Sequence, residues 1–205
     1  MSEALEDTGE TGIGAPVRRR EDLRFITGNG NYTDDLNQPG QLYAVFCRSP
    51  YPRARIDNID SQDALAVPGV VAVYTGQQMV DDGIGDLPCG WMVKSKDGSE
   101  MLSSPHPPMA ATLVNYVGEP YALVVADSLQ AAKQGAESVY ADFTELNAVV
   151  ELATATASDQ IYDGIPNNLA YTWALGDEDA TRMAFAKAAH VTTLELTNNR
   201  LIPNA

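Results

Sequence analysis

Cysteine and histidine are nearly missing: Cys47, Cys89, His106 and His190 are all that the 205 residues hold. The cysteines form no CxxC pair, and a zinc ribbon or an iron–sulfur cluster needs about four ligands. Neither is expected from this sequence. Basic residues are also scarce, 13 against 28 acidic, for a formal net charge of −15. So acidic a surface repels phosphate backbones and anionic lipid, which argues against nucleic acid as a partner. No run reaches the roughly 18 apolar residues a membrane-spanning helix requires. Arg18-Arg19-Arg20 is followed at once by Glu21-Asp22 rather than by an apolar stretch, so it is no twin-arginine leader. Without a secretion signal, a Cys47–Cys89 disulfide is not expected. These absences place the protein in the cytoplasm, with no membrane insertion.

What is present suits a globular chain. The hydrophobic fraction of 44% is close to the globular norm, and the length allows one domain and part of another. The opening MSEALEDTGETGIG is acidic and lacks an apolar core, so residues 1–18 are expected to be a flexible tail. Residues 19–26 (RREDLRFI) predict a short helix or turn running into Gly28-Asn29-Gly30-Asn31, a loop signal. Residues 42–48 (LYAVFCR), 54–59 and 70–75 (VVAVYT) predict strands, with a helical turn at 64–67 closed by Pro68-Gly69. Residues 81–108 are rich in proline and glycine and predict a long loop, a kind that tends to serve function or interfaces.

The clearest local unit follows. Residues 121–126 (YALVVA) form the continuous apolar run of a doubly covered strand. Asp127 or Ser128 caps a helix with Leu129, Ala132, Ala136 and Val139 along one face, and residues 140–144 return as a strand. Strand, helix and strand with short connections predict an α/β (α+β) fold. Residues 151–169 shift to Ala, Thr, Asp and Asn and read as a linker. Beyond it, Gly176-Asp177 opens a capped helix to Ala189, and residues 191–198 (VTTLELTN) alternate as a strand with Thr192, Leu194 and Leu196 on one face. A single helix and strand cannot bury an apolar face by themselves, so residues 170–205 read as the start of an incomplete domain.

Few residues invite chemistry. Gly28-Asn29-Gly30 lacks the third glycine of a dinucleotide-binding turn, Thr33 standing there, so it predicts a tight turn. Adjacent Asp34 and Asp35 point to opposite faces of an extended chain, which makes a shared metal awkward. His190 is expected to close a helix, where a cationic ring is favoured. His106, among Pro105, Pro107 and Pro108, reads as structural or exposed. Cys47 is expected as a small buried hydrophobe in a strand. Cys89, between Pro88 and Gly90, is the more exposed thiol, with no activating cation before Lys94. No active site emerges.

The order of motifs is more specific than any one of them. Arg19-Arg20-Glu21-Asp22, Phe25, the run from Gly28 to Asp35 and Leu42-Tyr43 are followed by Arg48-Ser49-Pro50 and Ala54-Arg55-Ile56. Then come Val67-Pro68-Gly69-Val70, Val117-Gly118-Glu119-Pro120, Val124-Val125-Ala126, Ala131-Ala132, Gly176-Asp177, Phe185-Ala186 and a terminal run from Asn199 to Ala205. This series resembles the opening of the large, molybdopterin-binding subunit of the xanthine dehydrogenase/aldehyde oxidase/aerobic carbon monoxide dehydrogenase family. One departure is Arg53, where the family often has histidine before Ala-Arg-Ile. The resemblance implies an α/β-hammerhead domain over residues 19–150, then, after the linker at 151–169, the first helix and strand of the molybdopterin-binding region at 170–205. It implies molybdopterin cytosine dinucleotide in the full-length subunit, whose molybdenum centre inserts a water-derived oxygen into substrate. Electrons then pass to [2Fe–2S] clusters and FAD on partners, an iron–sulfur small subunit and an FAD-binding medium subunit. No position here matches a catalytic, cofactor-binding or metal-ligating residue of the family. The chain alone is expected to bind no cofactor and to be inactive, serving as scaffold and subunit interface. The alternatives are a non-catalytic assembly module, one half of a split large subunit whose remainder is its partner, or a small hydrolase using Cys89 or His106.

Overall fold

The structure, a computed structural model, describes residues 12–14 and 19–196. In chain order it holds α1 (Asp22–Ile26), a 3-10 turn (Thr33–Asp35), β1 (Tyr43–Arg48), β2 (Ala54–Asp60), α2 (Gln62–Leu65), β3 (Val70–Thr75) and α3 (Gly76–Asp81). Then follow β4 (Leu113–Val114), β5 (Pro120–Ala126), α4 (Leu129–Glu137), β6 (Tyr140–Glu145), 3-10 turns at Leu152–Ala157 and Pro166–Asn168, and α5 (Glu178–Lys187). The strands make two three-stranded sheets, ordered β1-β5-β3 and β4-β2-β6. Two compact units result. One draws on the chain up to Val45, Ser61–Val73 and Leu123–Val139; the other on Phe46–Asp60, Tyr74–Ala122 and everything from Tyr140 on.

The first unit is built around small residues. Ala126, Ala131 and Ala132 form its buried centre, with Tyr43, Val45 and Val70 packed against it. Ser128 starts α4, its hydroxyl accepting from the Ala131 N–H at 3.3 Å, the usual way an N-cap satisfies an orphan donor. Gly135 lets the helix lie close: a Cβ there would come within 2.8 Å of both Val124 Cγ1 and Val70 Cγ2. Val124, fully buried in β5, contributes on the order of 1.5–3 kcal/mol by leaving water.

In the second unit β2 pairs antiparallel with β6, from Ala54↔Glu145 to Asp60↔Tyr140, with an irregularity between Ile56 and Asn58. On the other edge Ala54 and Arg55 face Val114 and Leu113 of β4. The Phe143 ring lies 5.5 Å from Tyr51 and 5.4 Å, edge-on, from Tyr121. Arg53, the departure noted above, spans chain segments: its guanidinium donates to the carbonyls of Asn147 at 3.2 Å and Gln160 at 3.4 Å. Asn168 ties the stretch read as a linker, donating to the carbonyls of Ala155 and Asp159 and accepting from the Ile161 N–H.

Several local expectations change. The α4 stripe is Ala131, Ala132 and Gly135, while Leu129 is exposed, because the closest approach follows the glycine and alanines rather than the larger side chain. The strands flanking α4 belong to different sheets: β6 leaves to pair with β2. Helix α3 and the two-residue β4 were not expected at all. Residues 191–196 form no strand, and 197–198 lie outside the described residues. An extended segment needs a neighbour to take its backbone hydrogen bonds, and none of the described strands pairs with it. The terminal motif from Asn199 to Ala205 and most of the expected tail also lie outside the described residues.

Candidate functional site

The most developed site lies in the second unit, at the turn leading into β5. Pro120, which has no N–H to offer a ladder, is the first residue of the strand, a position proline tolerates. Ahead of it the chain turns back, with Gly118 at φ +90° and the Glu119 N–H donating to Tyr116 O at 3.2 Å. The turn is fastened to the end of β1. Ser49 N–H donates to Glu119 O (2.9 Å), Gly118 N–H to Ser49 O (2.8 Å), and Arg48 Nη1 to Gly118 O (2.8 Å). This fastening buries Glu119 to 7% exposure, and its carboxylate accepts from the Asn115 N–H at 2.5 Å.

Glu119 forms one wall of a cavity of about 320 Å³, with Asn115, Tyr162, Asp86, Val80 and Leu113 among the others. Burial pushes the Glu119 carboxyl above its ordinary value, opposed by the Asn115 and Tyr116 N–H groups and by the charge of His106. Tyr162 is raised first by burial, then by Glu119 and Tyr116. Asn115 Oδ1 is buried without a hydrogen-bond partner among the described residues. Chemically the site can hold positive charge and accept hydrogen bonds. It presents no nucleophile paired with a base.

The residues singled out from the sequence fare differently. Cys47 is buried in β1, and burial pushes its thiol up to about 11. Cys89 is exposed, 3.5 Å from Trp91 O. His106 is exposed, its carbonyl accepting from the Leu87 N–H, and its charge reaches Glu119. His190 does not close α5, which ends at Lys187 with Ala188 as its cap; the ring sits 3.0 Å from Thr192 Oγ1 instead. Gly28, at φ +73°, ends α1 in a tight turn, with Asn29 N–H reaching Arg24 O at 2.8 Å. Asp35 accepts from the Tyr32 N–H at 2.8 Å, closing a 3-10 turn with Asp34.

Among the described residues no three His, Cys, Asp or Glu side chains are placed to share a metal ion. The donors present therefore do not fit a metal centre, and no reaction step is assigned to them. Glu119, Asn115 and Tyr162 were not singled out as site residues from the sequence. The available signal was a glutamate directly before Pro120 at the head of an apolar strand, a costly place for a carboxylate.

This chain belongs to the aldehyde oxidase and xanthine dehydrogenase a/b hammerhead family, whose pattern residues 27–147 match. Particular relatives follow. It is 34% identical over 182 residues to the nicotine 6-hydroxylase large subunit of Paenarthrobacter nicotinovorans, covering 87% of this chain and 21% of that one. It is 30% identical over 207 residues to the carbon monoxide dehydrogenase large chain of Afipia carboxidovorans, covering 94% and 24%. Among solved structures, reconstituted CO dehydrogenase from Oligotropha carboxidovorans aligns with a TM-score of 0.66 at 30% identity, over 87% of this chain and 23% of that one. Quinoline 2-oxidoreductase from Pseudomonas putida aligns with a TM-score of 0.58 at 34% identity, over 70% and 18%. The chain thus spans only 21% to 24% of the length of these two curated relatives. No helix among the described residues is long and apolar enough to cross a membrane.

Proposed function

We propose that the chain works as the N-terminal portion of the large subunit of a molybdenum hydroxylase, supplying scaffold and interface rather than reacting groups. One observation carries this reading: the apolar side chains of residues 171–196 have no cover. Helix α5 buries no residue, and Trp173, Leu175, Met183, Phe185, Leu194 and Leu196 are all exposed. Each large apolar side chain kept in water forgoes about 1.5–3 kcal/mol, and a stretch of chain with so many uncovered points to an interface. The remaining part of the large subunit is its natural cover.

In this reading the acidic tail at 1–18 precedes a hammerhead over 19–150, residues 151–169 connect, and 170–205 open the molybdopterin-binding region. Molybdopterin cytosine dinucleotide is held by other parts of the subunit. FAD and [2Fe–2S] clusters belong to an FAD-binding medium subunit and an iron–sulfur small subunit, and the complex is cytoplasmic. The chain alone is inactive.

Hydrogen exchange tests the reading, comparing this chain alone with the chain fused to the remaining part of the carbon monoxide dehydrogenase large chain. Exchange at residues 171–196 should slow in the fusion, and Phe185→Asp should reverse the slowing. Equal exchange in both would overturn it.

A further inference from the structure

We propose that the Glu119 cavity is a binding site for a small organic cation, an ammonium group carried on an apolar body of a few carbons. Glu119 is buried, yet among the described residues it makes no ion pair with lysine or arginine. Its one hydrogen bond at short range, from Asn115 N–H, leaves acceptor capacity on a group with about four lone-pair sites. Only the field of the exposed His106 acts on it from a positive side chain; a carboxylate out of water without an ion-pair partner is costly, and an incoming cation removes that cost.

The other lining groups select among cations and against anions. Asp86 adds a second carboxylate, and none of the lining side chains is lysine or arginine. An anion would meet two like charges there. Val80, Leu113, Pro105 and Ala111 supply apolar wall, which a hydrated metal ion wanting about six oxygen ligands cannot use. A volume of about 320 Å³ lies at the small end of ligand sites, roughly 300–1,000 Å³. An alkylammonium places its charge on Glu119 and its carbons on that wall. The site is independent of the cover proposed for residues 171–196, so either can fail without the other.

The test titrates n-butylammonium into the whole chain at about pH 8, on the alkaline side of the ordinary carboxylate range, with n-butanol and butyrate as controls, read by amide chemical shifts. Glu119→Gln keeps the shape and removes the charge; Ala111→Phe fills the cavity and keeps the charge. Butylammonium should give saturable shifts at residues 105–119, with affinity at least about tenfold weaker in either variant, and butyrate should give none. Butanol binding as well as butylammonium, or undiminished binding to Glu119→Gln, would overturn the proposal.

Discussion

Gly135 of α4 faces Val124 of β5 so closely that a single added methyl group would sit 2.8 Å from Val124 Cγ1. Helix propensity alone would favour alanine at this position by about 1 kcal/mol. The contact reverses that preference, because both Val124 and Val70 would have to move in a packed interior. Gly135→Ala should lower stability by about 1–3 kcal/mol, the usual cost of overpacking. Urea unfolding followed by circular dichroism checks this, and a stabilised variant would mean that the helix can shift outward freely.

Glu119 makes stability depend on pH in a definite direction. Its folded pKa is raised above the ordinary 4.5, chiefly by burial. Below that value both states are protonated and the group's contribution is fully present. As pH climbs through the folded pKa, the unfolded chain has ionised more readily, and that contribution is lost. Glu119→Gln keeps an acceptor for the Asn115 N–H and has nothing to ionise. The variant should therefore melt higher than the parent at neutral pH and converge with it in acid. A series of melting curves across pH decides.

Arg53 holds two distant carbonyls, those of Asn147 and Gln160. Hydrogen bonds to a charged donor contribute about 1.5–3 kcal/mol, so Arg53→Met should loosen the segment they secure. Limited proteolysis of the parent should cut first within residues 151–169, where exposed 3-10 turns offer accessible backbone. In the variant, cleavage there should speed up severalfold while residues 121–144 stay intact. Unchanged cleavage would assign the tethering to Asn168 alone.

The two thiols should separate cleanly in a labelling experiment. Cys89 is exposed, whereas burial holds Cys47 protonated up to about pH 11. Since the thiolate is the reactive form, a disulfide reagent at about pH 8 should modify one thiol per folded chain. Cys89→Ser should abolish that reaction, and urea should restore one equivalent.

Where local pattern decides structure, the sequence was readable. Strands β1, β3, β5 and β6 and the Asp177-capped helix α5 all follow from alternation, apolar runs or caps. Helix α3, not expected above, has a local signature in the sequence: Thr75 and Gln78 form a reciprocal capping box. The buried face of α4 was misplaced because Leu129, the one large apolar side chain in it, points away from the Ala131 and Gly135 side that actually packs. Pairing of β6 with β2 was hidden because it is non-local, Ala54 meeting Glu145. Glu119, named only within a motif, could not be read as a site residue for the same reason: its burial depends on Ser49 and on residues far along the chain, none of them predictable as neighbours. Family membership was legible because ordered motifs survive where single contacts cannot be inferred.

The partnership of β2 with β6 also governs how the chain must be made. A ribosome releases Ala54 well before Glu145, its partner in the register, and synthesis adds about 5–20 residues per second. Through that interval β2 waits with only the Ala54–Arg55 end able to find β4. The first unit waits likewise, since Tyr43 and Val45 gain their cover only with Ala131 and Ala132. The first unit has all its segments only once the nascent chain reaches Val139, and the second only after β6 follows, so both close late. Codon choice or a chaperone acting on residues 43–120 would therefore alter yield without touching the finished protein.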